Sequence, residues 1–546
     1  MTDVEKQQTD DWYDLPWKQF QRNVYRLQRR IYQAASKDDH RRVHQLQRLL
    51  LHSWSARSLA VKQVSQDNRG KRTAGVDGLA NYTPQERLSL VKSLKHLDWP
   101  PTEGIRRVYI PKPNGERRPL GIPTMLDRAR QALVKLALEP EWEARFEPNS
   151  YGFRPGRSSH DAIEAIFRTI CNKPKYVLDA DIAACFDNIS HDALQNKLRA
   201  TAPIQRLVGQ WLKAEILAGD VWQETKTGVP QGGVISPLLC NIALHGFEQA
   251  VIEQTPLSNR ATLIRYADDF VILHADLNVL NQLKAQAESW LNDMGLHLKP
   301  SKTRITHTLQ AHQGQVGFDF LGFHIQQYSV GKYRKRTYRQ QARFKTLIKP
   351  SKKSIQRHLY QLKQTIRQYR GASQAVLIAK LNPIIRGWRR YYHTCVSKQV
   401  FARLDSLLYW KLMRWAYFRH NNKSRGWCYR RYWHRHNKRI CFTDGQTTLT
   451  QYQDEPIVRH IKVRRTKSPY DGDWLYWATR LGRHPTKPRR VTGLVKRQRG
   501  KCGHCGVHFM AEDVMEIHHV DGNHYNNRRD NVILLHGHCH DLAHRS

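Results

Sequence analysis

The stretch that decides the fold runs from residue 262 to residue 273 and reads Thr-Leu-Ile-Arg-Tyr-Ala-Asp-Asp-Phe-Val-Ile-Leu. Two apolar runs flank a short polar centre, which predicts a strand, a tight turn and a second strand. Asp268 and Asp269 would then lie at a hairpin tip in apolar surroundings. Adjacent like charges are unfavourable unless cations neutralise them, and two divalent ions would do so. An isolated Asp-Asp pair is more often a solvated turn, so other motifs must decide.

A third carboxylate stands in Tyr-Val-Leu-Asp-Ala-Asp-Ile-Ala-Ala-Cys-Phe-Asp, residues 176–187, where an apolar run leads into Asp181. Here the sequence resembles the palm of reverse transcriptases. The resemblance implies that Asp181, Asp268 and Asp269 hold two Mg²⁺ ions for nucleotidyl transfer. It also implies that Phe186 screens the sugar 2′ position of the incoming nucleotide. The family often has Lys-Gly where this chain has Ala-Ala at 183–184, a departure that touches no carboxylate.

Further motifs of the same family follow in order. Residues 228–237, Gly-Val-Pro-Gln-Gly-Gly-Val-Ile-Ser-Pro, resemble the template-and-nucleotide loop and contain Gln231. A predicted hairpin over 107–123 carries Lys112 and Arg118, which by the match bind the dNTP triphosphate. Read alone, they would be ordinary surface charges. Lys302 follows the hairpin and either protonates the pyrophosphate leaving group or only contacts a phosphate.

The composition points to a polyanionic partner. The chain of 546 residues has 90 Lys plus Arg against 47 Asp plus Glu, a net charge of +43. Such an excess favours nucleic acid, because neutralising phosphates releases counterions. We expect no membrane association, because the sequence shows neither a long apolar stretch nor a signal peptide. We expect a cytoplasmic, nucleoid-associated bacterial protein or an organellar one. Six of the nine cysteines show no ligand spacing and are expected to be reduced.

The flanking regions narrow the resemblance. Residues 67–78 form a basic, glycine-rich loop that resembles the N-terminal extension of group II intron and related non-retroviral reverse transcriptases. Residues 318–323 resemble the primer-grip hairpin. Residues 381–393, which contain Trp-Arg-Arg-Tyr-Tyr, resemble the thumb, or maturase domain, of group II intron proteins. We expect the aromatic residues there mostly to pack and the arginines mostly to reach RNA.

The C-terminal module carries two predicted metal sites. Cys502 and Cys505 have the spacing of a zinc knuckle, and Cys539 with His536 would complete it. His538 is the alternative fourth ligand, because the HNH endonucleases that this module resembles usually have Cys at position 536. By the same resemblance His519 is the general base, His518 and His540 bind a catalytic divalent ion, and Asn531 orients the loop of the base. A purely structural zinc ribbon would need neither the His518-His519 pair nor Asn531.

The predicted fold class is α+β: a right-hand-like fingers and palm polymerase with a helical thumb (maturase) domain, a small basic DNA-binding domain and a zinc-type ββα-metal HNH module. The predicted boundaries are 1–95 for the N-terminal extension and start of the fingers, 96–330 for fingers and palm, 331–423 for the thumb, 424–490 for the DNA-binding domain and linker, and 491–546 for the endonuclease.

The predicted function is that of a group II intron-encoded protein. It would bind the intron RNA to assist splicing, copy RNA into DNA from dNTPs, and nick the second strand of a target DNA. One alternative is a maturase that only assists splicing. Another is a defence or retron-like reverse transcriptase fused to a nuclease. The oligomeric state is left open.

Overall fold

The structure is a computed structural model that describes residues 11–96, 99–111, 115, 117–253, 255–330, 344–436, 439–454, 456–482, 488–509 and 513–544. The helices are α1 (Trp17–Ala35), α2 (His40–His52), α3 (Trp54–Lys62), α4 (Pro84–Ser93), α5 (Met125–Arg145), α6 (Ser159–Ile170), α7 (Cys185–Asn188), α8 (His191–Leu198), α9 (Ala202–Leu212), α10 (Ser236–Ala243), α11 (Phe247–Ile252), α12 (Leu277–Asp293), α13 (Lys352–Gln368), α14 (Gln374–Tyr392), α15 (Lys398–Arg419), α16 (Arg425–Tyr432), α17 (Trp474–Leu481), α18 (Arg489–Arg497) and α19 (Gly537–Ala543).

The strands are β1 (Ile105–Pro111), β2 (Arg117–Pro123), β3 (Tyr176–Asp181), β4 (Ile216–Ala218), β5 (Val221–Gln223), β6 (Thr262–Tyr266), β7 (Asp269–His274), β8 (Arg304–His307), β9 (Phe318–Phe320), β10 (Phe323–Ser329), β11 (Phe344–Pro350), β12 (Trp433–His436), β13 (Arg439–Phe442), β14 (Met515–His519) and β15 (Val532–His536). Helices and strands are mixed along the chain, which confirms the predicted α+β class.

The N-terminal helices pack around α5. In α1 the buried side chains include Trp17, Phe20, Val24 and Ile31, at helical spacing, and they face α2, α3 and α5. The hairpin of β1 and β2 lies between α4 and α5 in the chain. It joins β4 and β5 in a four-stranded sheet of order β2-β1-β4-β5.

A second four-stranded sheet forms the centre of the molecule, in the order β6-β7-β3-β8 with antiparallel pairs. Its strands have apolar side chains on both faces. Leu178 and Ile272 belong to one hydrophobic core with the N-terminal helices, whereas Val177 and Val271 belong to a second core with the thumb. Burial on both faces explains why β3, β6 and β7 are nearly continuous apolar runs.

The second core continues far along the chain. It takes in β9 to β11, the thumb helices α13 to α15 and α16, and then Tyr452, Val463 and Trp477. The segment 424–482 therefore packs into the core of the palm and thumb. We call its last part, residues 456–482, the strap, because it contacts the thumb, the palm and the C-terminal module.

The C-terminal module has a third core of its own, built by α18, the hairpin of β14 and β15, α19 and the loop that carries Cys502 and Cys505. The five predicted domain ranges remain predictions. No helix within the described part of the chain is long and apolar enough to cross a membrane.

Candidate functional site

The palm sheet brings the three predicted carboxylates together. Asp181 ends β3 and pairs in register with Asp269, the first residue of β7. Because Tyr266 pairs with Asp269 as well, Ala267 and Asp268 form the two-residue turn, and Ala267 has a left-handed φ of 58°. The backbone N–H of Ile182 donates to the carbonyl of Asp268 at 3.2 Å. The three side chains thus converge at one end of the sheet.

The turn is held by residues on neighbouring segments. Gly152 lies against it so closely that a Cβ atom there would be 2.3 Å from the amide nitrogen of Ala267. Arg265 is fully buried and donates from Nη1 to Oδ1 of Asn241 at 3.2 Å and to the carbonyl of Ala267 at 3.4 Å. Asn241 in turn donates to the carbonyl of Gly152 at 2.9 Å. The turn, Gly152, Asn241 and Arg265 therefore form one hydrogen-bonded network.

The electrostatics favour a bound cation. Burial, the hydrogen bond with Asp181 and the negative charges of Asp268 and Asp181 raise the pKa of Asp269 to about 8. Burial and the charge of Asp181 also raise the pKa of Asp268, while Lys302 and Arg118 oppose the rise. Lys302 donates to Oδ2 of Asp181 at 2.6 Å. The all-oxygen donor set fits a hard divalent ion such as Mg²⁺, whose charge would let all three carboxylates ionise.

Three of the predicted nucleotide-contacting residues, Phe186, Gln231 and Arg118, belong to the described part of the chain. Phe186 is half-buried on α7, and the ring of Phe153 meets it edge-on at 6.1 Å between centroids. Gln231 donates from Nε2 to the Asp187 carboxylate at 3.2 Å, so its side chain is fixed to α7. Arg118 is exposed on β2. Lys112 lies outside the described residues.

Residues 228–237, the predicted template-and-nucleotide loop, pack closely against β2. The Gly121 N–H donates to the Gln231 carbonyl at 2.5 Å. Gly232 has a φ of 116°, and a Cβ atom there would lie 2.5 Å from the Gly121 carbonyl oxygen. Only glycine allows this approach, which gives the glycine pair of the motif a physical reason.

A cluster of sulfur and nitrogen atoms forms in the C-terminal module. The ligand atoms of Cys502, Cys505, His536 and Cys539 all lie within 4.8 Å of one another. Nδ1 of His536 faces Sγ of Cys505 at 3.3 Å, and its Nε2 lies 3.2 Å from the Asp513 carboxylate. Three thiols and an imidazole braced by a carboxylate fit a structural zinc ion. Of the two candidate histidines, His536 joins the cluster; the side chain of His538 lies outside the described residues.

A second histidine cluster lies on the same module. The ligand atoms of His518, His540 and His544 lie within 4.8 Å of one another, and His540 Nε2 faces His544 Nε2 at 3.2 Å. Glu516 Oε2 lies 2.9 Å from His540 Nδ1. Burial and the neighbouring histidines lower the pKa of His518. Three imidazoles in this arrangement fit a divalent ion. Sequence reasoning missed His544, although its i, i+4 spacing from His540 on one helix was the available signal.

His519 and Asn531 lie next to this cluster. His519 pairs with Val532, so it follows His518 at the end of β14. Asn531 accepts from the Asp521 N–H at 2.9 Å and donates to the Asp521 carboxylate at 2.7 Å and to the Asn526 carbonyl at 2.8 Å. These bonds close the loop of residues 520–531, which gives Asn531 a structural position at the base of that loop.

Comparison with known proteins identifies the polymerase part. A family model for reverse transcriptase (RNA-dependent DNA polymerase) matches residues 110–325, and one for the N-terminal domain of reverse transcriptase matches residues 12–94. A model for the group II intron maturase-specific domain matches residues 355–433. Protein YkfC of Escherichia coli is 31% identical over 351 residues, which cover 55% of this chain and 88% of YkfC. The chain belongs to the group II intron reverse transcriptase and maturase family.

Two other relatives cover different shares of the chain. Group II intron-encoded protein LtrA of Lactococcus lactis is 35% identical over 216 residues, which are 38% of this chain and only 36% of LtrA. Maturase-like protein 1 of Euglena gracilis is 26% identical over 391 residues, 70% of this chain and 78% of that protein. The last of the three segments that the family models match ends at residue 433. A nuclease assignment for the C-terminal module therefore depends on the geometry of that module alone.

The maturase-specific segment of this family member packs on the primer-grip hairpin. The ring of Trp388 stacks on His358 at 4.7 Å, and the hydroxyl groups of Tyr391 and Tyr392 donate to the carbonyls of Leu321 and Gly322 at 3.0 and 3.1 Å. The aromatic residues of the Trp-Arg-Arg-Tyr-Tyr motif therefore pack, as expected. Arg389 donates to the Gln451 carbonyl at 2.7 Å, so this arginine contacts protein instead of facing only solvent.

Proposed function

We propose that this family member copies RNA into DNA at the carboxylate cluster of the palm. The observation that carries the proposal is the register between β3 and β7, which sets Asp181 opposite Asp269 with Asp268 at the adjoining turn. Two bound Mg²⁺ ions would supply charge neutralisation and activate the attacking and leaving oxygens. Both ions would be held by Asp181, Asp268 and Asp269.

The remaining steps are assigned to this chain's own residues. A primer 3′-hydroxyl attacks the α-phosphorus of a dNTP, a P–O bond forms, and pyrophosphate leaves. Phe186 would screen the 2′ position, Gln231 would shape the loop beneath the nucleotide, and Arg118 with Lys112 would bind the triphosphate. Lys302, 2.6 Å from Asp181, would either protonate the pyrophosphate or bind its charge.

The polymerase proposal is tested by primer extension on an RNA template with Mg²⁺ and dNTPs. Asp268→Ala should reduce extension by at least about a thousandfold, because the variant loses a ligand of the metal site. Asp293→Ala, at the exposed end of α12, removes the same charge and should extend normally. Equal extension by Asp268→Ala and the unaltered protein would refute the site.

We propose that the protein also assists splicing of a group II intron RNA. Support comes from the net charge of +43 and from the match to the maturase-specific domain. The RNA would carry out splicing itself, in the bacterial cytoplasm or an organelle. Sequencing the RNA that copurifies with the full chain tests this role: an intron RNA supports it. Recovery of an unrelated RNA would favour the defence-type alternative.

We propose that the C-terminal module nicks the second DNA strand after insertion of the intron RNA into the first. His518, His540 and His544 would hold a divalent ion that stabilises the cleaved phosphate, and the Cys502, Cys505, His536 and Cys539 cluster would hold structural Zn²⁺. His519 would remove a proton from the attacking water, and the new 3′-hydroxyl would prime DNA synthesis.

The nuclease proposal is tested on the full chain with DNA and Mg²⁺. His519→Ala should lower the nicking rate by about 10²–10⁴-fold, the range for loss of a general base, and leave primer extension unchanged. The control is His52→Ala, on the exposed side of α2. Nicking at the normal rate by His519→Ala would assign the base to another residue.

A further inference from the structure

A single arginine of the nuclease module contacts the ring of the proposed base. Nη2 of Arg490 lies 3.2 Å from Nε2 of His519. Arg490 belongs to α18, which precedes the zinc knuckle and contributes nothing to the HNH motif. Its side chain is exposed, whereas His519 is only 8% exposed. The exposed side chain of Arg490 can therefore move, whereas the buried ring of His519 is held in the module.

The helix that carries Arg490 is fastened to the nuclease hairpin. Arg497 donates to the carbonyls of Arg529 and Val532. Gln498 donates to the Leu534 carbonyl at 2.9 Å and accepts from the Leu534 N–H at 2.7 Å. Residues 490 and 497 are two turns apart on the same face of the helix. The backbone of Arg490 is thus held at a constant place beside the proposed active site.

The contact with Arg490 occupies a ring nitrogen of His519, the proposed base. A guanidinium group can only donate, so Nε2 of His519 is the acceptor in this contact and its lone pair is occupied. Oδ1 of Asn527, 3.4 Å from the same Nε2, would instead require a proton there. Nδ1 of His519 is buried without a hydrogen-bond partner among the residues that the structure describes. Nε2 of His519 cannot accept a proton from water while Arg490 occupies it, so the arginine must move to another acceptor before catalysis.

We propose that Arg490 is a catalytic residue of the nuclease that binds the scissile phosphate, a role that rests on the nuclease function proposed above. A phosphorus attacked by water on His519 must lie within a few ångströms of that ring, and Arg490 already reaches the ring. A phosphate offers the guanidinium two charged oxygens for a bidentate pair, whereas the imidazole offers one ring nitrogen. DNA binding therefore moves the guanidinium from the imidazole to the non-bridging oxygens.

This transfer couples binding of the phosphate to activation of the base. Water loses its proton to His519 while its oxygen forms a bond to phosphorus, and the bond from phosphorus to the 3′-oxygen breaks. The leaving 3′-oxygen takes a proton from solvent. Arg490 stabilises the extra negative charge on the non-bridging oxygens while five oxygens surround phosphorus. In the free protein the same arginine covers His519.

The test uses the full chain and a labelled duplex that spans a nick site mapped with the unaltered protein. Arg490→Met should lower the single-turnover nicking rate by about 10²–10³-fold, the usual cost of losing one such donor. The DNA concentration at half-saturation should change by less than about threefold, because one phosphate contact adds little to total affinity. Arg490→Lys should recover part of the rate. The control Arg528→Met removes an exposed charge from the same module and should nick normally.

A modified substrate separates phosphate binding from a structural role. In the second duplex the scissile phosphate is a methylphosphonate, which lacks the charged non-bridging oxygen. The unaltered protein and Arg490→Met should cleave this duplex at rates within about threefold of each other, because the contact that distinguishes them is gone.

Three results would overturn the assignment. Normal nicking by Arg490→Met would remove Arg490 from catalysis. A loss on the methylphosphonate as large as on normal DNA would make Arg490 structural. Failure of the unaltered protein to nick any DNA would refute the nuclease itself, and the assignment of Arg490 with it.

Discussion

At the scale of single residues, a buried arginine supports the turn of Ala267 and Asp268. Arg265 is 2% exposed inside an otherwise apolar strand, and its guanidinium holds Asn241 and the Ala267 carbonyl. It also faces the buried carboxylate of Glu147. Burial favours a raised pKa for Glu147, but the hydrogen bond from His245 and the charges of His245 and Arg265 outweigh it and lower the pKa to about 2. The turn and its surrounding charges therefore depend on one side chain.

We predict that Arg265→Met destabilises the palm by about 3 kcal/mol, because Glu147 would lose a buried cation. Primer extension should fall with it, since the Asp268 tip loses its support. Urea unfolding followed by tryptophan fluorescence measures the first effect. Arg260→Met, on an exposed loop that precedes the same strand, should change stability by less than about 0.5 kcal/mol. Similar unfolding curves for both variants would show that Arg265 is not a support.

At the scale of elements, the loop of Cys502 and Cys505 and the hairpin of β14 and β15 meet at the cysteine and histidine cluster. The third core is small, and Cys502, Cys505 and Cys539 are themselves part of it. The His536 N–H donates to Sγ of Cys502 at 3.4 Å and the Gly503 N–H donates to the Leu534 carbonyl at 3.0 Å, so the end of β15 is bonded to the knuckle. A module of this size gains much of its folding free energy from a structural metal.

We predict that Cys539→Ser loses bound zinc and nicking while primer extension persists, because the polymerase has separate cores. His536→Cys should keep about one zinc per chain, since four thiolates suit tetrahedral Zn²⁺ as well. Metal analysis of the purified full chain measures both. Cys171→Ser, far from the knuckle, is the control. Zinc retention by Cys539→Ser would refute the ligand set.

At the scale of the whole molecule, the strap joins the palm to the C-terminal module. Its key partner is Asp161 at the start of α6, which accepts from Arg480 at 2.8 and 2.9 Å, from His460 at 3.0 Å and from the Val463 N–H at 2.7 Å. Farther along, Trp474 lies between the rings of Tyr25 and His508, at 4.6 and 4.7 Å. The strap thus contacts the N-terminal helix, the palm and the nuclease module at once.

The Asp161 contact should make stability depend on acid. Burial favours a raised pKa for Asp161, but the hydrogen bond from His460 and the charge of Arg480 outweigh it and hold the pKa well below the ordinary 3.8. A lowered folded-state pKa contributes stability above the unfolded value and loses it as the pH falls toward the folded value. The contribution is therefore complete near neutral pH and declines below about pH 4.

We predict that Asp161→Asn costs about 3–5 kcal/mol at pH 7, because Arg480 remains buried without its counter-ion. The variant should also show a shallower loss of stability between about pH 5 and pH 3. Urea unfolding at several pH values measures both. Asp192→Asn, at an exposed position in the first turn of α8, is a control for loss of charge. Parallel pH curves for Asp161→Asn and the unaltered protein would contradict the prediction.

The sequence by itself determined the elements and the chemistry-bearing motifs. Apolar runs on either side of Asp268 and Asp269 encode a hairpin, and the Cys-x-x-Cys spacing encodes a knuckle, because both depend on residues close along the chain. Only the tertiary structure decided which distant groups meet. The register that sets Asp181 against Asp269, the Arg265–Asn241 support, the contact between Asp161 and Arg480 across 319 residues, and Arg490 beside His519 all follow from packing. Local periodicity carries no signal for such pairs, because packing of whole elements against one another sets their distance.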